Sequence, residues 1–245
     1  RLNNIGIKEN EMIIKYMGKG KIIIQFPLIK YSERIIKLVS YNPQINFHLV
    51  NKEGYEKFKE YQTQHPDDFL ATTKPGESLQ LKDPSVLPPG TMLIGIYDKD
   101  VFGMDKCVDF TVVQKEPVLK GEAIQSAKVD TDPQTGQPMI VFVLGEYIDT
   151  DGRKVDGAEV FYKVTDQHQG EALAVLLDNR IKSNSIATIF EPISGGVVCI
   201  RGRVTKEEAQ DIAIILNKKG FPVPLKIVSV KQLSEDLWVG IKRSE

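Results

Sequence analysis

The 245-residue chain carries 32 basic and 33 acidic residues, a net charge of −1 with both signs interspersed, so it lacks the basic stripe that nucleic-acid binding requires. Hydrophobic residues make up 41%, enough for a buried core and too many for a chain disordered throughout. The apolar runs, residues 22–24 and 212–216 among them, are far too short to span a bilayer.

In chain order, residues 11–16 and 21–26 are β-branched-rich runs separated by Met17-Gly18-Lys19-Gly20, which predicts a hairpin that Pro27 ends. Ser32 caps a short helix with Ile35, Leu38 and Val39 at helical spacing, and residues 45–50 form a strand. Residues 61–90 hold five prolines and no sustained period, and predict a long surface loop. Strands follow at 92–97 and 106–113 around an Asp98-Lys99-Asp100 turn, then at 140–144. A turn at residues 149–152 leads to a helix over 157–168 with Ala158, Phe161, Tyr162 and Thr165 on one face. Residues 173–177 and 181–190 predict a hairpin about Asp178-Asn179, since Asn enters the left-handed region such turns need. After Gly195-Gly196 comes a strand over 197–204. Thr205 and Glu208 then form a capping box for a helix with Ala209, Ile212, Ala213 and Leu216 on one face and Gly220 as its stop. Residues 226–233 are the last predicted strand.

Two strand–helix–strand units, at 21–50 and 197–233, match the halves of a ferredoxin-like arrangement with an insertion between them. They predict an α+β chain in which 1–50 and 197–233 share one sheet. The expected base comprises residues 1–116 and 196–245, with a smaller α+β head over 117–195.

Residues 171–225 carry a pattern of wider reach. Leu173-Ala174, Leu177-Asp178, Pro192-Ile193-Ser194-Gly195-Gly196, Thr205-Lys206-Glu207-Glu208-Ala209 and Pro222-Val223-Pro224-Leu225 occur in order. So do Arg1-Leu2-Asn3-Asn4-Ile5-Gly6, Lys21 to Pro27, Ser32-Glu33-Arg34 and Ile45 to Val50 near the start, and Glu116 to Leu119 and Pro133 to Pro138 further on. In order and spacing the chain resembles the large extracytoplasmic domain of the SecD/SecF protein-export family. It departs at Asn179 for a turn glycine, Asn184-Ser185 for Ala-Pro, His48 for Arg and Leu28 for Gly.

The resemblance implies a periplasmic loop excised from between two membrane helices, starting after the family's Asp-Leu-x-Gly-Gly motif. It implies a Sec translocon accessory subunit partnered by SecF and the translocon channel. This part would bind or release unfolded preprotein during proton-gradient-driven export, with proton-carrying residues in membrane segments outside this chain. The other readings are a ferredoxin-like small-molecule sensor of a transporter, marked by a closed polar pocket, and an enzyme, marked by perturbed titratable groups in a cleft.

Chemistry-bearing clusters are sparse. His48, His65 and His168 lie far apart without ligand-spaced partners. Asp130-x-Asp132 and Asp149-x-Asp151-Gly152 read as turns, since neither continues to the glutamate of a calcium loop. Gly18-x-Gly20 joins strands, and Ser183 and Ser185 lack a nucleophile elbow. Cys107 and Cys199 fit either a disulfide in an oxidising compartment or, preferred, two buried free thiols. No catalytic residue, cofactor or metal is expected. The candidate functional residues are a hinge: Glu116, Pro117, Val118 and Leu119 at one crossing into the head, Pro192, Ile193, Ser194, Gly195 and Gly196 at the other.

Overall fold

The computed structural model describes residues 13–18, 20–27, 44–66, 81–99, 105–201, 204–217, 225–233 and 236–243, together with Arg34, Ile36 and Leu38. The chain divides into two compact units, one of residues 1–43 with 211–245 and one of residues 44–210.

The first unit contains a four-stranded antiparallel sheet of β1 (Ile13–Tyr16), β2 (Lys21–Pro27), β14 (Leu225–Leu233) and β15 (Asp236–Arg243), in the order β1-β2-β15-β14. The β1–β2 turn forms as its glycines require, with Gly18 at φ 74° and Gly20 at φ 68°. In this unit the helical Arg34 donates through Nε to Oδ1 of the buried Asp211 at 2.9 Å, tying together segments 177 residues apart.

The second unit is built on a six-stranded sheet. Its members are β3 (Ile45–Leu49), β4 (Thr91–Lys99), β5 (Asp105–Gln114), β6 (Leu119–Lys120), β11 (Ala172–Leu177) and β12 (Arg180–Thr188), in the order β5-β4-β12-β11-β3-β6. A bridge pairs Val50 with Val113, and the Asn51 N–H donates to the Val112 carbonyl at 2.8 Å. The end of β3 therefore meets β5, and the sheet curls until strands from its two sides join. The strand alternation then sorts the core. Ile94, Val113, Ala174, Leu176 and Ile181 form one cluster, while their neighbours Leu93 and Val112 face the other way and pack with Phe58.

Phe58 belongs to α1 (Lys52–Gln64), whose N-cap Asn51 accepts from the Gly54 N–H at 2.6 Å. Leu81 and Leu87, flanking a single 3-10 turn at Pro84–Val86, pack on the same cluster. The expected loop over 61–90 thus opens as the last turn of a helix and closes as a packed segment; residues 67–80 lie outside the described residues.

A three-stranded sheet of β7 (Ile124–Thr131), β8 (Pro138–Leu144) and β13 (Val197–Arg201), in the order β13-β8-β7, belongs to the same unit. So do the hairpin of β9 (Glu146–Ile148) with β10 (Lys154–Asp156) and the helix α2 (Gly157–Gln167). Asp156 caps α2 by accepting from the Ala158 N–H, and the buried Phe161 meets Phe47 of β3 edge to face at 5.6 Å. Of the expected stripe, Phe161 and Thr165 are buried, Ala158 half-buried and Tyr162 exposed. The Asp178-Asn179 turn takes φ values of 52° and 56°, the left-handed pair anticipated for it.

The capping box of α3 (Lys206–Asn217) closes in both directions. The Glu208 N–H donates to Thr205 Oγ1 at 3.1 Å and the Thr205 N–H to Glu208 Oε2 at 3.0 Å. Its buried positions are Ala209, Asp211, Ala213 and Ile215, so Ile212 and Leu216 of the expected stripe are only half-buried.

The ferredoxin-like base is not the architecture found. β3 and β13, which were to complete the two half-units, pair in other sheets: β3 with β11 and β6, β13 with β8. Strands β11 and β12, expected in the head, lie between β3 and β4, expected in the base. Residues 44–116 accordingly share a compact unit with residues 117–195, and the unit boundaries fall at 43/44 and 210/211. What survives of the expected layout is a unit assembled from both ends of the chain with a long segment between them.

Candidate functional site

Both expected hinge crossings fall inside the second unit and are tied to it. Glu116 is exposed and Pro117 half-buried, but the Val118 N–H donates to the Phe47 carbonyl at 2.8 Å, and Leu119 is buried opposite Phe47 in β6. At the other crossing Pro192 is half-buried and the Ile193 N–H donates to Thr165 Oγ1 of α2 at 2.9 Å. Ser194 and Gly195 are exposed, whereas Gly196 is buried at φ 65° and its carbonyl accepts from the Leu144 N–H at 2.8 Å. Of the nine residues, Glu116, Pro117, Pro192, Ser194 and Gly195 take part in none of these bonds or strand pairs. The two crossings are not brought together by any bond between them.

The acidic turns do local work. Asp132, buried, accepts from the Gln134 N–H and the Thr135 hydroxyl, bonds that hold its carboxyl below its ordinary pKa. Asp149 is lowered in the same way, first by the Arg153 backbone N–H. Among the described residues no three His, Cys, Asp or Glu side chains gather in a metal-binding group. Cys107 and Cys199 are both free; Cys107 is half-buried with its thiol pushed up by burial, but Cys199 is exposed, contrary to the expectation of two buried thiols.

His48 is the unusual titratable group. It sits in β3 with 2% of its surface exposed, and its Nδ1 lies 2.8 Å from the Gln114 carbonyl. A carbonyl can only accept, so Nδ1 carries the proton and Nε2 presents a lone pair; that Nε2 and Ser185 Oγ are the unpartnered buried side-chain polar atoms among the described residues. Burial lowers the His48 pKa, against the opposing pull of the Gln114 bond and the Glu116 charge.

The three-stranded sheet has two unlike edges. β7 carries Lys128 paired to Asp130 and a bulge between Ile124 and Ser126, devices that guard an edge. β13, with the sequence Val-Val-Cys-Ile-Arg, is regular against β8 and has no such protection before Arg201. Its side chains alternate, with Val198 and Ile200 buried and Val197, Cys199 and Arg201 exposed. The segment leading to it carries Phe190, 85% exposed.

This fold has known relatives. The family model described as SecDF, P1 head subdomain, matches residues 99–223, just over half of the chain. The chain belongs to the SecDF family. It is 30% identical to the protein translocase subunit SecD of Borreliella burgdorferi over its whole length, and 29% identical to that of Treponema pallidum over 93% of it. The chain spans 40% and 36% of these two relatives. Among solved structures it resembles a membrane component SecDF that enhances protein export, with a TM-score of 0.57 at 21% identity over 95% of this chain and 88% of that one. SecDF in a super-membrane-facing form gives a TM-score of 0.58 at 24% identity, covering 93% of this chain and 26% of that one. These two likenesses establish the fold. No helix among the described residues is long and apolar enough to cross a membrane.

Proposed function

We propose that this chain is the extracytoplasmic, periplasmic domain of a Sec translocon accessory subunit, and that it binds or releases preprotein emerging from the channel. The observation that carries this reading is the match of residues 99–223 to the SecDF P1 head subdomain, joined to SecD relatives aligned along nearly the whole chain. In the full-length protein the domain is attached to the membrane and works beside SecF and the translocon channel, in export driven by the proton gradient. It is not an enzyme; its task is reversible contact with an unfolded chain, which calls for apolar surface and open backbone rather than a fixed polar constellation. Photo-crosslinkers at exposed positions of the second unit, in the full-length protein, should capture a stalled translocating preprotein. Capture of none from any of these positions would overturn the reading.

A pivot at the two crossings is part of this proposal, confined to Glu116-Pro117 and Ser194-Gly195, the adjacent pairs outside the bonds that hold Val118, Leu119, Ile193 and Gly196. A reversible disulfide that immobilises either pair should impair export and reduction should restore it. Normal export by the fully crosslinked protein would discard the pivot.

A further inference from the structure

We propose that the free edge of β13 accepts an extended polypeptide segment as a fourth strand of the β13-β8-β7 sheet; this rests on the reading of the domain as a preprotein-handling one.

The backbone geometry defines the site. Paired residues in an antiparallel ladder alternate between those that exchange hydrogen bonds and those whose N–H and C=O point away. The Leu144 N–H donates to the Gly196 carbonyl, which places Gly196 and Leu144 in a bonded pair. With Val197 opposite Val143 and each later residue one step on, Val198 and Ile200 also bond to β8. Val197, Cys199 and Arg201 therefore direct their N–H and C=O groups outward, along an edge to which, among the described residues, no other strand is paired.

Those same three residues have exposed side chains, Val197 at 54%. Their neighbours across the pair, Met139, Val141 and Val143, make the adjoining face of β8 apolar. An occupant must then supply alternating donors and acceptors from its own extended backbone and apolar side chains at every second position. That is an unfolded polypeptide segment rich in β-branched or aromatic residues. Backbone bonding supplies attraction without sequence preference, which suits a surface that must take and release many different chains. The contrast with β7 sharpens the assignment: one edge of the sheet is bulged and charged, and the other is left as a template.

Amide hydrogen exchange reads the edge directly. With reduced, carboxymethylated α-lactalbumin as a permanently unfolded probe, the amides of Val197, Cys199 and Arg201 should slow at least threefold, while those of Val198 and Ile200, already bonded to β8, change little. Cys199→Pro removes the central outward donor without touching a β8 bond, and should weaken binding of the probe at least fivefold; Cys199→Ser keeps the donor and should bind like the parent. Should the proline variant fail to fold, the exchange pattern of the parent protein decides. Binding of the probe with unchanged edge amides would overturn this inference and leave the proposed function standing, whereas no binding of the probe at all would count against both. Equal protection of the edge amides without probe, rising with protein concentration, would assign the edge to a second copy of this chain and also overturn it.

Discussion

Gly196→Ala is expected to destabilise the domain by about 2–5 kcal/mol, while Gly195→Ala, one residue away, costs about 1–2 kcal/mol. Both glycines have positive φ, 76° at Gly195 and 65° at Gly196, so each substitution carries the backbone penalty of a left-handed conformation. Their surroundings differ. A Cβ on Gly195 would meet nothing within 4 Å, whereas one on Gly196 would lie 2.6 Å from the Ala158 Cβ and 3.3 Å from the Leu144 carbonyl. The Leu144 oxygen and Ala158 belong to β8 and the first turn of α2, both fixed, so the clash cannot be relieved by turning a flexible side chain. Ala158 sits just after the Asp156 cap, where moving the helix would also break the Asp156–Ala158 bond. Urea unfolding of the two single variants and of the Ala158→Gly/Gly196→Ala pair checks this. The pair should recover about 1–3 kcal/mol relative to the sum of its single changes, because the two methyl groups compete for one space. Equal losses for Gly195→Ala and Gly196→Ala would mean that the junction is loose.

The glycine pair also shows what the sequence could disclose. That two adjacent glycines after Pro192 mark a special backbone was legible, and both do adopt left-handed φ. That one is open and the other wedged against α2 depends on where the helix lands, which no local pattern encodes. The same division holds elsewhere. The Thr205–Glu208 capping box, the Asp178-Asn179 turn and the helix from Gly157 are decided within a few residues, and each forms as local chemistry dictates. The helix Lys52–Gln64 escaped notice because its apolar stripe is thin, with Phe58 its large buried side chain. Its signals were polar: the Asn51 cap and the Glu53–Lys57 pair at i, i+4. Strand β15, inside the expected base, was not anticipated, since the last expected strand ended at residue 233.

Sheet membership was the larger failure. The segments of β3 and β13 read as strands beside helices, as a ferredoxin-like half-unit demands, and both are strands. Their partners were the unreadable part, since pairing is a choice among distant segments of similar composition and is settled by the total burial of the sheet. Leu173 and Val175 of β11 meet Leu49 and Phe47 of β3 across 124 to 128 residues of intervening chain, and nothing in either segment names the other. The open edge of β13 became visible only once β8 was known to be its partner, because the outward direction of Cys199 follows from that register.

Lowering the pH from 7 toward 5 is expected to destabilise the second unit through His48, with a slope of up to about 1.4 kcal/mol per pH unit. The folded pKa of His48 is depressed below the ordinary value of 6.5, chiefly by burial. In the unfolded chain the imidazole protonates as pH falls through that ordinary value, whereas in the folded chain it stays neutral until lower pH. The unfolded state then binds more protons, so the stability contributed by neutral His48 is full above pH 6.5 and is lost as pH falls toward the folded pKa. Geometry explains why the proton is refused. Nδ1–H is already committed to the Gln114 carbonyl, and a second proton would sit on Nε2, which has no acceptor. The residues opposite His48 across β11 and on to β12, Ala174 and Ile186, are apolar, and Glu116 beyond the end of β5 is the charge that favours protonation, too weakly to prevail. The location raises the stakes. Gln114 follows Val112 and Val113, the β5 residues that join β3 through Val50 and Asn51, so a charged His48 strains the seam that closes the curled sheet. Urea unfolding of the parent and of His48→Gln between pH 5 and 8 isolates the effect. His168, 3.0 Å from Glu171, and His65, stacked on Tyr61, are present in both proteins and cancel in the difference. The parent should lose stability below pH 6.5 relative to the variant, and parallel pH profiles would show that His48 accepts its proton in the folded state as readily as in the unfolded one.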